Sequence, residues 1–209
     1  MRGLFITVEG PDGSGKTTQI KKIKEYFTVK GYEVITTREP GGTRIGEKVR
    51  EIILDKNHVE MDNITEALLY AASRAQHVAE VIKPAVAAGK IVICDRFVDS
   101  SLVYQGVGRN LGVALVEGIN QVAIQGIMPD ITLLFKLSPQ IGIQRKFKQG
   151  NEDRLEREKL DFHQQVYEGY MQLETLYPQR IRGIDASKTI QEVHEEIVGY
   201  IEELLKKRC

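Results

Sequence analysis

The sequence predicts an α/β fold, a five-stranded parallel sheet flanked by helices on both faces. Three features carry that expectation. Short apolar runs alternate with longer segments of helical period along the chain, the order expected when helical crossovers join parallel strands. Most of the runs are apolar throughout rather than alternating, as strands covered on both faces must be. Residues 10–17 read Gly-Pro-Asp-Gly-Ser-Gly-Lys-Thr, a complete G-x-x-x-x-G-K-[ST] phosphate loop between the first run and the first helix, which points to a P-loop NTPase fold.

Strands are expected at 4–8, 33–37, 90–94, 131–136 and 180–184. The first four are rich in Ile, Val, Leu or Phe, whereas Arg180-Ile181-Arg182-Gly183-Ile184 is weaker and suits a sheet edge. Helices are expected at about 15–30, 44–55, 63–88, 111–126, 139–147, 157–177 and 189–207. In the third, Ile64, Leu68, Ala71, Ala75, Val78 and Ile82 recur at helical spacing and are expected to face the core, with residues 70, 74 and 77 off that stripe. The last opens on the capping box Thr189-Ile190-Gln191-Glu192, and Ile190, Val193, Ile197, Ile201 and Leu204 form its apolar stripe. Residues 145–157 break the pattern. They are almost all polar, carry five basic residues and are interrupted by Gly150-Asn151, which reads as a mobile basic lid, since phosphoryl transfer needs water excluded and positive charge supplied.

The 209 residues suit a single domain, 1–209, with the lid at about 145–157. Lys+Arg and Asp+Glu each total 29, so no global basic charge argues for nucleic acid as a partner. Cys94 in an apolar run and Cys209 at the last position make a poor disulfide framework, and a reducing, cytoplasmic location is expected. No stretch approaches the ~18 apolar residues that cross a bilayer, so no membrane partner is expected. His58, His77, His163 and His194 are scattered without metal-ligand spacing.

The loop defines the chemistry. Backbone N–H groups can crowd around a polyphosphate only where side chains leave room, hence Gly10, Gly13 and Gly15 among Pro11, Asp12 and Ser14. Lys16 can reach the β/γ-phosphates, Thr17 offers a hydroxyl to Mg²⁺, and the helix that begins near Thr17 and Thr18 sets its positive dipole end under the anion. The expected ligand is therefore a nucleoside triphosphate with Mg²⁺. A switch GTPase would need an Asn-Lys-x-Asp element, which Asp55-Lys56-Asn57-His58 does not supply. Arg38 after the second strand and Arg96 after the third should point into the same cleft as Lys16, because ligands gather beyond the carboxyl ends of parallel strands. Arginine forks there can hold an acceptor phosphate, and Asp95 can hold Mg²⁺ through water.

Five stretches together carry a family resemblance: residues 10–18, Thr37-Arg38-Glu39-Pro40-Gly41-Gly42-Thr43, Tyr70-Ala71-Ala72-Ser73-Arg74, residues 95–106 from Asp95-Arg96-Phe97 to Tyr104-Gln105-Gly106, and Asp153-Arg154-Leu155-Glu156. The chain resembles the bacterial thymidylate kinases over nearly its whole length. The resemblance implies MgATP-dependent phosphorylation of dTMP to dTDP, and a homodimer formed through long helices. It implies that the thymine ring lies against Tyr70 with Arg74 donating to its O4, that Ser101 reads the pyrimidine edge, and that Tyr104 under the sugar leaves no room for a 2′-hydroxyl. It further implies that Asp12 accepts from the 3′-hydroxyl, that Arg38 and Arg96 hold the dTMP phosphate, and that Gln105 supports base or sugar. Members of that family with glycine where this chain has Gly13 generally lack a loop arginine and supply the catalytic cations from the lid, so the resemblance implies Arg154 toward the transferring phosphoryl oxygens and Arg145 stacked on adenine. Phe147 and Gln149 stand where bacterial relatives often have arginine, and Lys146 or Lys148 cannot reproduce a bidentate fork. A kinase for another nucleoside monophosphate such as UMP or CMP, and a non-catalytic ATP-binding regulator, remain the alternatives.

Overall fold

The computed structural model describes residues 2–147 and 153–207. Five strands, β1 (Leu4–Glu9), β2 (Val34–Arg38), β3 (Ile91–Asp95), β4 (Ile131–Lys136) and β5 (Ile181–Asp185), pair in parallel in the order β2-β3-β1-β4-β5. β5 does lie at an edge. Side chains alternate between two covered faces. Leu4, Ile6, Val8, Ile91, Ile93, Leu133 and Phe135 pack with α1 (Lys16–Val29) and α9 (Ile190–Lys206). On the opposite face Phe5, Val92 and Cys94 pack with Val78, Ile82, Val86 and Phe97. Leu134 and Ile181 there meet side chains of α8 (Leu160–Leu176). Both faces therefore exclude water, which is why these strands are apolar runs.

The remaining helices are α2 (Arg44–Leu54), α3 (Asn63–His77), α4 (Lys83–Ala87), α5 (Val98–Ser101), α6 (Val113–Ala123) and α7 (Pro139–Phe147). A π-helical turn, Val78–Ile82, joins α3 to α4, so the long third helix expected from sequence is interrupted. A second π segment, Leu102–Gly108, continues α5 where no helix was expected. π turns of this kind gather at functional sites, and this one delivers Tyr104 and Gln105 to the cleft.

The expected core face of α3 needs correction. Ile64 and Leu68 are 47% and 51% exposed, while Glu66, Ala67, Tyr70, Ala71, Arg74 and His77 are buried. The polar members of that face are buried because each finds an ionic or hydrogen-bond partner, which apolar periodicity does not register. In α9 the expected stripe is buried at Val193, Ile197 and Ile201, but Ile190 in its first turn is exposed. The registers bring Arg38 and Asp95 level, with Val8 beside Asp95, so three strands end on one rim.

Candidate active site

β1 ends at Glu9 and the chain turns at once into the phosphate loop. Gly10 lies at φ 124°, and a Cβ there would sit 2.4 Å from the Phe135 carbonyl oxygen; at Gly13, φ 75°, it would lie 2.6 Å from the Gly142 carbonyl oxygen. Both positions demand glycine for conformation and for space. Thr43, Asp62 and Thr189 cap α2, α3 and α9 with their side chains, but α1 starts after left-handed Gly15 with no side-chain cap and no acid in its first turn. Its orphan N–H groups and dipole end are thus open to an anion. Lys16 is buried, its Nζ 2.9 Å from the carbonyl oxygens of both Gly10 and Pro11, and burial together with Arg96 lowers its pKa. Ser14 is buried with an unpartnered Oγ, and Thr17 and Thr18 are exposed at the helix start.

A cavity of about 360 Å³ opens beyond the strand ends. Its wall brings together Asp12, Arg38, Tyr70, Arg74, Asp95, Arg96, Tyr104 and Gln105. Arg38 is half exposed and paired with Glu47 at 2.8 Å; Arg50, which the sequence reading did not select, lies on the same wall and donates to the Pro40 carbonyl at 2.8 Å. The Asp95 Oδ1 atom is buried without a hydrogen-bond partner.

Arg96 adopts φ 68°, a strained backbone for a side chain of this size. Its guanidinium donates to Asp12 Oδ1 at 3.0 Å, Ser100 Oγ at 3.3 Å and the Tyr170 hydroxyl at 3.4 Å, and lies 5.2 Å over the Tyr104 ring. Burial works against its charge, but Asp12, Tyr104, Tyr170 and Asp95 hold its pKa well above the ordinary value. Glu9 supports it from behind. The Phe97 N–H donates to Glu9 Oε1 at 2.7 Å, while the hydroxyls of Ser100 and Tyr170 donate to Oε2 at 2.6 and 2.8 Å, fixing the peptide that follows Arg96. Burial, with Asp99 adding repulsion, raises the Glu9 pKa to about 7 against the pull of Arg96 and the two hydroxyls. Asp99 in turn is forked by Arg180 at 2.5 and 2.8 Å.

At the far end, Arg74 is 1% exposed. It donates to Glu39 Oε2 at 2.7 Å, Ser101 Oγ at 3.0 Å, the Phe97 carbonyl at 3.0 Å and Asn120 Oδ1. Ser101 is buried behind Arg74 and is not on the cavity wall. Glu39 is shared with the His77 Nδ1 at 3.0 Å. Gln105 donates to Glu66 at 2.8 Å. Arg154 is turned to the same carboxylate, at 2.6 Å, with its Nε on the Ile53 carbonyl at 2.9 Å, and lies off the cavity wall. Arg145 is exposed beside the loop, 3.3 Å from the Gly13 carbonyl. The centre of the expected lid, residues 148–152, the side chains of Lys146 and Phe147, and Cys209 lie outside the described residues.

Sequence reasoning did not select Glu9, Glu39, Arg50, Ser100 or Tyr170. Two of them left a trace: Glu9 is a charge ending an apolar strand, and Glu39 sits inside the Arg-Glu-Pro-Gly-Gly-Thr run.

A sequence model of the thymidylate kinase family matches residues 8–197. Thymidylate kinase of Bacillus pumilus (strain SAFR-032) is 51% identical over 209 residues, covering 99% of each chain, and that of Clostridium novyi (strain NT) is 50% identical over 202 residues, covering 96% of this chain and 98% of its own. The crystal structure of thymidylate kinase from Ehrlichia chaffeensis superposes with a TM-score of 0.77 at 32% identity, over 96% of this chain and 99% of the other. With the family match spanning most of the chain and the relatives aligned end to end, this chain belongs to the thymidylate kinases.

Proposed function

We propose that the chain transfers the terminal phosphoryl group of ATP to the phosphate of dTMP, giving dTDP and ADP. One observation carries the reading: Arg96, at the end of β3, hydrogen-bonds Asp12 inside the phosphate loop, so an anion held by Arg96 abuts an anion held by the loop. Juxtaposing two phosphates converts a bimolecular encounter into an oriented one, and the acceptor oxygen is already anionic at neutral pH, so no base is required.

Lys16 and the α1 N-terminus take the donor phosphates, with Gly10 to Thr18 forming the cradle; Arg38 and Arg96 take the acceptor phosphate. Arg74 spends four of its five N–H groups on protein partners, leaving one on Nη2 for a base carbonyl, as an oxygen-bearing pyrimidine offers. Tyr70 supplies the aromatic wall, Ser101 and Gln105 set Arg74 and the pocket side, and Tyr104 occupies the space a 2′-hydroxyl would need. For Arg154 to act on phosphoryl oxygens it has to exchange Glu66 and Ile53 for them; Arg145, beside Gly13, is placed on the donor side.

Mg²⁺ fits the residues present. No group of three or more His, Cys, Asp or Glu among the described residues could hold a metal by itself, and the unpartnered Asp95 Oδ1 offers one oxygen. That suits an ion bound by one or two protein groups plus phosphates. Thr17 and Asp95 would hold it, and it would neutralise charge on the transferring phosphate. We also propose a homodimer. Exposed apolar side chains on adjoining helices support it: Ile45 and Ile52 on α2, Leu68 on α3 and Leu115 on α6. The free, buried Cys94 accords with a cytoplasmic setting, and no helix among the described residues is long and apolar enough to cross a membrane.

A panel of nucleoside monophosphates with MgATP tests the reading. Preferential turnover of dTMP is expected; preference for UMP or CMP, or tight ATP binding without turnover, would overturn it.

A further inference from the structure

The segment that leaves β2, from Thr37 to Thr43, is gripped by one face of α3. The Gly41 N–H donates to the Ser73 hydroxyl at 3.0 Å, Arg74 donates to Glu39 at 2.7 Å, and His77 stands one turn further along. The imidazole of His77 is wholly buried and lies off the cavity wall. Its Nδ1 is 3.0 Å from Glu39 Oε1 and its Nε2 is 2.7 Å from the Thr37 hydroxyl. The chain folds closely around it, since a Cβ on Gly42 would come within 2.7 Å of both Nε2 and Thr37 Oγ1. An ionised carboxylate can only accept, so Nδ1 carries a proton, whereas the hydroxyl can meet Nε2 in either role.

Glu39 divides its two oxygens. Oε2 accepts from Arg74 Nε, and Oε1 accepts from His77. The other contacts of Arg74 fall on Nη1, from Ser101 and Asn120, and on Nη2, from the Phe97 carbonyl. Among the described residues Glu39 is therefore the partner at Nε, and it sets the tilt of the guanidinium plane. A carboxylate held at one oxygen can turn about its last bond; held at both, it cannot. On the functional reading above, the N–H left on Nη2 meets the 4-carbonyl of the base, and such a bond weakens steeply when it is misaimed. We infer that His77 is a positioning residue for base recognition, holding Glu39 so that Arg74 stays aimed at that carbonyl.

The test compares two amide variants that reach different partners. Asparagine carries its N–H donor as far from the backbone as Nδ1, and glutamine as far as Nε2, so His77→Asn keeps a donor to Glu39 and His77→Gln gives it up. The substrates are dTMP and 5-methyl-dCMP, whose base has a 4-amino group and a bare N3 where thymine has a carbonyl and N3–H. In wild type kcat/KM should favour dTMP. His77→Gln should narrow that ratio about tenfold, mainly through the KM of dTMP, and His77→Asn should stay within about threefold of wild type. A wild-type ratio in the glutamine variant, or equal narrowing in both variants, would overturn the inference. Should either variant fail to fold, imidazole ¹⁵N spectra of the wild-type enzyme decide: His77 Nδ1 should be protonated with and without dTMP, and a proton on Nε2 alone would refute the assignment. Wild-type enzyme that turns over no dTMP would sink the functional reading itself, whereas dTMP turnover with an unaltered ratio in the glutamine variant sinks this inference alone.

Discussion

Replacing Glu9 by glutamine isolates the charge that the fold holds beneath Arg96. The carboxyl is wholly buried at the end of β1, and its pKa rises from 4.5 to about 7. A shift of that size is worth about 3 kcal/mol at 1.36 kcal/mol per unit. Between pH 4.5 and about 7 the folded chain keeps a proton that the unfolded chain has released. Wild-type stability therefore falls as pH rises through that window. Below it both states are protonated, and above it both are ionised, so the effect levels off. Glutamine has the same shape and cannot ionise. In urea unfolding at half-unit steps from pH 4.5 to 8, the stability of Glu9→Gln minus that of wild type should grow by about 3 kcal/mol and then plateau near pH 7.5. Parallel curves, or a difference that shrinks as pH rises, would show that Glu9 is ionised throughout and that burial is not the dominant influence on it.

Further predictions concern the pocket walls. Arg96→Ala should lower kcat/KM for dTMP by about 10²–10³, the usual cost of deleting a donor to transition-state charge, while calorimetry shows ATP still bound; wild-type kinetics would remove Arg96 from the mechanism. Arg74→Ala removes the arginine partner of buried Glu39 and a donor to Asn120, and should cost about 3–5 kcal/mol in urea unfolding, so a loss below 1 kcal/mol would mean that Arg74 is not the buried anchor described. Asp95→Asn should raise the Mg²⁺ concentration for half-maximal activity by about tenfold or more, and an unaltered titration would exclude Asp95 from holding the ion.

The sheet and the phosphate loop were legible because each is written in local terms. Apolar runs placed the strands within a residue of their observed bounds, and Gly10, Gly13 and Lys16 mark the loop by spacing alone. The wall of the larger cavity was legible in part. Arg38, Asp95 and Arg96 follow from the rule that ligands gather at strand ends. The support behind them was not readable, because its partners are far apart in the chain. Glu9 meets Ser100 and Tyr170, and Glu66 meets Gln105, Arg109 and Arg154; no local pattern announces a buried carboxylate whose partners lie 39 to 161 residues away. Ile64 and Leu68 misled for the same reason, since helical apolar spacing outranked Glu66, Arg74 and His77 until their partners were visible.

A crystal structure with dTMP and a non-hydrolysable ATP analogue bound together tests the central claim most directly. The acceptor phosphate should contact the Arg96 guanidinium and stand in line with the terminal phosphorus of the analogue seated on the loop. A deoxynucleotide bound away from Arg96, or with its phosphate turned from the loop, would contradict the account.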